Sequence, residues 1–162
     1  MKMKDPRGEI DLLLRILDEA YEKKAWHGPN LRGSIRGVSE AAAAWRPEAG
    51  RHNIWEIVVH AAYWKYAAHR RLRGEKRGSF DFKGSNWFPR PVTLTEGVWH
   101  QDVALLGKYH SKLREAVAEL PLDELHRTPA GSKVSNATLI YGMASHDIYH
   151  AGQIQLLKRL HS

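Results

Sequence analysis

Leu139-Ile140-Tyr141-Gly142-Met143-Ala144-Ser145-His146-Asp147-Ile148-Tyr149-His150-Ala151-Gly152-Gln153-Ile154-Gln155-Leu156-Leu157-Lys158-Arg159-Leu160 is the stretch on which the fold turns. Within it Leu139, Met143, His146, His150, Gln153, Leu157 and Leu160 recur at alternating spacings of four and three. That is a heptad seam, the signature of a helix facing a bundle interior. Two histidines occupy its middle. Four residues apart, they differ by about 40° around a helix and about 6 Å along it, so their rings can converge on one point. Tyr141, Gln155 and Arg159 fall on the opposite, outward side.

Three further helices can be read upstream. The first is predicted from about Pro6 to Trp26, with Ile10, Leu13, Leu14, Leu17, Ala20 and Tyr21 at helical spacing, and stops at His27-Gly28-Pro29. The second runs from about His52 to Arg73 and ends at Gly74. The third begins near Thr95 and reaches Leu120 before Pro121; the fourth begins after Ser135, a plausible N-cap. Residues 74–94, rich in Gly, Pro and aromatics, read as a crossover long enough to travel the bundle. The expected fold is therefore an all-α four-helix bundle, up-down-down-up, in a single domain over residues 1–162.

The second helix is apolar from Ile54 to Ala68 except at Glu56, His60 and Lys65. With Lys65 taken as solvent-facing, His60 lies about 140° away and Glu56 about 180° away, so both point inward. His60 is about 12 Å from the start of its helix and His150 about 15 Å from the end of the fourth. In an up-down-down-up bundle those ends coincide, so His60, His146 and His150 share a level. A single histidine on an apolar face is most often a core residue satisfied by a neighbour such as Glu56 or Tyr63. Three at one level point instead to a divalent metal site.

The remaining candidates are subordinate. Glu56 is a candidate acceptor for an imidazole N–H, or a fourth ligand. Gln153 is a candidate partner for a metal-bound water, and His27 and His100 are candidates for the mouth of the site. Structural roles stand as the alternative for each. His52, His69, His110, His126 and His161 are expected at helix ends or on exposed faces. The zincin motif needs Glu at position 147, which here is Asp147, so that protease reading fails.

Composition sets the frame. The 162-residue chain is 43% hydrophobic and 27% charged, ordinary for a soluble domain, and has no apolar run near the twenty residues that span a bilayer. The N-terminal residues lack a signal-peptide pattern, so a cytoplasmic location is expected. With no cysteine, thiolate ligands and disulfides are excluded. The net charge of +7 is dispersed, and its densest cluster, Arg70 to Arg77, closes a helix end, where cations complement the macrodipole. Nucleic acid is not the expected partner, and neither is a membrane.

The segments Trp26-His27-Gly28-Pro29-Asn30-Leu31, Ala44-Trp45-Arg46-Pro47, Ile54-Trp55-Glu56-Ile57-Val58-Val59-His60 and His146-Asp147-Ile148-Tyr149-His150-Ala151-Gly152-Gln153-Ile154 resemble the DinB-like (damage-inducible) helical-bundle superfamily over essentially the whole chain. The resemblance implies a metal held by one histidine of the second helix and two of the fourth, which match His60, His146 and His150. Similar members include bacillithiol S-transferases and the metal-binding domain of mycothiol-dependent maleylpyruvate isomerase. The resemblance thus implies zinc or nickel, a low-molecular-weight thiol cofactor, a small-molecule substrate and a homodimer. It leaves open a metal-dependent transferase, a hydrolase using Glu56 or Asp147 as base, and a non-enzymatic bundle stapled by its metal.

Overall fold

The computed structural model describes residues 7–90 and 97–162. Among them all regular secondary structure is helical, with no strand: α1 (Gly8–Tyr21), α2 (Leu31–Ile35), α3 (Glu40–Ala44), α4 (Ile54–Arg73), α5 (Val98–Ala118), a 3₁₀ turn (Leu122–Glu124) and α6 (Asn136–His161). None of these helices is long and apolar enough to cross a membrane. The expected starts of the first helix at Pro6 and the third near Thr95, and the end of the crossover, lie outside the described residues.

Local chemistry sets the boundaries. Asn53 caps α4 by accepting the Glu56 N–H at 2.8 Å, and Gly74, at φ 66°, closes it in the left-handed conformation that favours glycine. Ser135 caps α6 by accepting the Thr138 N–H. Asn30 and Ser39 cap the short helices α2 and α3 in the same way. α1 stops at Tyr21 rather than Trp26: Ala20 and Tyr21 are its last core residues, and the polar Glu22-Lys23-Lys24 that follows gives the helix nothing to bury.

α4 is the central element, packed against α5 and α6 and touched by α3, while α1 packs on α5 and α6. Every residue from Ile54 to Ala62 is buried, so this helix has no solvent face over its first two turns. One apolar cluster gathers Trp55, Trp99, Val58, Leu106 and Ile154; a second gathers Ile10, Leu17, Leu113 and Ile140.

This enclosure corrects the placement of Lys65. Its side chain is fully buried and donates to Asp147 Oδ2 at 2.5 Å. The partner comes from α6, 82 residues away, and the ion pair makes the burial tolerable. His110, expected on an exposed face, is likewise buried: it stacks on Tyr21 at 3.7 Å with Nδ1 3.4 Å from Lys65 Nζ. Burial, then the neighbouring Lys65 ammonium, holds the His110 imidazole far below its ordinary pKa.

The segment after α4 is folded onto it. Phe80 packs on Tyr63, Tyr66 and Tyr109, and Asp81 accepts from Tyr109 Oη and Lys108. This anchoring carries residues 85–88 across the face of α4 that bears His60.

Candidate metal centre

Three imidazoles, one from α4 and two from α6, meet in the interior. His146 Nε2 lies 3.1 Å from His60 Nε2 and 3.1 Å from His150 Nε2. His60 and His150 are buried and His146 partly so. Their outer nitrogens are held differently. His60 Nδ1–H donates to the Asn86 carbonyl at 2.8 Å, and His150 Nδ1–H donates to Gln153 Oε1 at 2.7 Å. The two facing atoms, the Asn86 carbonyl and Gln153 Oε1, are acceptors, so in this arrangement each ring carries its proton on Nδ1 and turns the Nε2 lone pair inward. His146 Nδ1 is buried without a partner among the described residues.

These tautomers decide what the cluster can hold. With two inward lone pairs fixed, a proton on His146 Nε2 can satisfy only one of them, and the other faces a nitrogen with nothing to offer. A cation among the three satisfies all of them. The protonation state agrees: burial, opposed by the Asn86 hydrogen bond, brings His60 down to about 4. Burial and the neighbouring His150 and His60 bring His146 down to about 3. Burial also lowers His150. Neutral imidazoles are the form that binds metal. These three side chains are a group able to hold a divalent ion.

The crossover supplies two residues with no sequence-level signature of a site. Asn86 sits at φ 67°, a conformation that Asn tolerates better than most residues. From there it gives its carbonyl to His60 and its side-chain Oδ1 to Trp64 Nε1–H at 2.9 Å. Trp87 lies between two imidazoles, stacked on His60 at 3.8 Å and on His52 at 3.6 Å. Neither residue belongs to a periodic pattern, so only the folded loop reveals them.

Glu56 does not touch the cluster. Its carboxylate takes Arg46 at 2.6 Å and His52 at 2.9 Å. Burial would raise this carboxyl, but hydrogen bonds from Arg46 and His52 outweigh it and hold it below its ordinary value. It orients His52, and through the Trp87 stack it supports His60 indirectly. Gln153, expected beside a metal-bound water, is bonded to the His150 ring. Asp147 was readable as an interior residue: Ile140, Ala144, Asp147, Ala151 and Ile154 form a second seam of four-three spacing, all buried.

A cavity of about 720 Å³ opens beside His150 and Gln153, walled by Trp87, Tyr149, Ile57 and Leu157. The expected mouth beside Trp26, His27 and His100 is not there. His27 lies with Ile148, Gly152 and Gln155, on the side of α6 about 180° from His146 and His150. Because α1 ends at Tyr21, the following segment drops behind α6. His100 faces another cavity, with Trp99 and Arg32.

No curated protein and no solved structure matches the chain. A family model of the DinB superfamily matches residues 25–154, a span that contains all three histidines together with Asn86, Trp87 and Gln153. On that match, joined to the all-helical architecture, the chain belongs to the DinB superfamily.

Proposed function

We propose that His60, His146 and His150 hold a divalent metal, zinc or nickel, and that the protein is a metal-dependent transferase that joins a small thiol cofactor to an electrophilic small molecule. The observation carrying this reading is the convergence of three Nε2 atoms, two of them, on His60 and His150, turned inward by the hydrogen bonds of their rings to Asn86 and Gln153. Three neutral imidazoles leave the ion its full charge and an open position. When bound, such an ion supplies Lewis acidity that favours the thiolate form of a thiol near neutral pH. The chain's own residues orient and shield: Asn86 and Gln153 fix two ligand rings, and Trp64 and Trp87 screen the centre from water.

The hydrolase alternative is less well supported, because both carboxylates nominated as its base are engaged. Glu56 is held by Arg46 and His52, and Asp147 is fully buried on Lys65. A metal-stapled module without catalysis is separated from the transferase by turnover. The wider reading is one up-down-down-up domain, cytoplasmic, forming a homodimer. The packing of α4 between α5 and α6 supports the bundle, and the homodimer rests on the resemblance to bacillithiol S-transferases and the mycothiol-dependent isomerase domain.

The test is conjugation of model electrophiles by the metal-loaded protein with a panel of low-molecular-weight thiols. Thiol-dependent turnover lost in His146→Ala supports the transferase. Metal binding without turnover across the panel rejects it, and ester or lactone cleavage without thiol favours hydrolysis.

A further inference from the structure

The basic cluster at the end of α4 does more than neutralise a helix terminus. A cavity of about 770 Å³ lies between that end and the crossover, and Arg70, Arg71, Arg77 and Lys83 all line it. The carboxylate on its wall, Asp81, is already taken by Lys108 and the Tyr109 hydroxyl.

The arginines of this region divide into two kinds. Arg73 is paired with Glu119 at 2.6 Å, and Arg70 donates to the Glu75 carbonyl at 3.1 Å. Among the described residues Arg71 and Arg77 have no carboxylate partner, and Arg71 Nε is buried with no hydrogen-bond acceptor. Arg71 packs against the Trp64 ring, 6.0 Å from its centroid. Burial and the neighbouring charges of Arg70 and Arg77 make protonation of Arg71 harder than usual. Unpaired guanidiniums crowded into a concavity repel one another, and a multiply charged anion converts that repulsion into charge-assisted hydrogen bonds. Trp64, Tyr63 and Phe80 add flat apolar surface beside the cations.

We propose that this cleft is an anion site, taking the phosphate or pyrophosphate group of a small molecule through Arg71 and Arg77. It is distinct from the three-histidine centre, from which Trp64 separates it: the Trp64 ring lies 6.5 Å from that of His146. The concave shape and the position of the free guanidiniums inside it favour a small anion over a nucleic-acid backbone, which needs a cationic stripe along an open face.

Calorimetric titration of the full chain with inorganic pyrophosphate at constant ionic strength tests it. Saturable binding is expected, weakened about tenfold or more in Arg71→Gln and in Arg77→Gln, the loss of one charge-assisted contact. Arg73→Gln, at the same helix end but paired elsewhere, is expected to bind as the wild type does. Arg77 is exposed, so its variant remains informative should Arg71→Gln fold poorly. Absence of saturable binding, or an equal loss in Arg73→Gln, overturns the proposal. So does steeply salt-dependent binding of a single-stranded oligonucleotide without binding of pyrophosphate.

Discussion

Lys65 Nζ lies 2.5 Å from Asp147 Oδ2 with both side chains wholly inaccessible, tying α4 to α6 beside the histidine cluster. Asp147 Oδ1 has no partner among the described residues, and burial pushes this carboxyl above its ordinary range against the pull of Lys65. Breaking such a pair strands a charge. Lys65→Met or Asp147→Leu is expected to destabilise the fold by about 3–5 kcal/mol, whereas the double variant Lys65→Met/Asp147→Leu recovers most of that loss. Urea denaturation measures it, and a double variant as unstable as the sum of the singles would show the pair is not coupled.

Gln153 holds the His150 ring through its Nδ1–H. Gln153→Leu keeps the volume and removes the acceptor. Metal affinity should fall about 10- to 100-fold with little change in stability of the metal-free protein. Competition with a chelator of known affinity reads this directly, and an unchanged affinity would remove Gln153 from any role in the centre.

Trp87 is the middle ring of the stack His52–Trp87–His60. Replacing it with Ala opens His60 to water, so its pKa in the metal-free protein should rise from about 4 toward 6.5. The lost ring contacts should cost about 1–3 kcal/mol. An NMR titration of the imidazole carbons follows the first effect; an unmoved His60 would mean that other walls suffice.

The metal-free protein should lose stability on acidification. His60 and His146 titrate at about 4 and about 3 in the folded chain against an ordinary value of 6.5. Between those limits the unfolded chain binds more protons, so stability is full above about pH 6.5 and falls as the pH drops toward 4. Thermal unfolding from pH 8 to 4 should show this slope, flattened in His60→Gln. An equal slope in the variant would assign the acid sensitivity elsewhere.

What the sequence revealed and what it concealed follow from which interactions are periodic. The α6 seam was legible as far as Leu157 because spacing alone decides which residues share a helix face; Leu160, counted into it, is exposed in the last turn of the helix. His60 was placed inward correctly, but from a premise that fails: Lys65 does not face water. Its burial depends on Asp147 of another helix, whose inward position a seam shows but whose pairing with Lys65 no local pattern announces. His110 was misplaced among the helix-end and exposed histidines for the same reason, since its surroundings are Tyr21 and Lys65 from α1 and α4. Asn86 and Trp87 were beyond reach because an irregular loop has no period, and its course is set by Phe80 and Asp81 gripping α4 and α5. The mouth of the site was misplaced because Trp26 was counted into a helix that ends at Tyr21.

The most direct test of the metal centre is elemental analysis of the purified native protein beside His60→Ala, His146→Ala and His150→Ala. About one divalent ion per chain is expected in the native protein, and its loss in each variant. Metal retained by all three variants, or a native protein that takes up none when offered zinc or nickel, would contradict it.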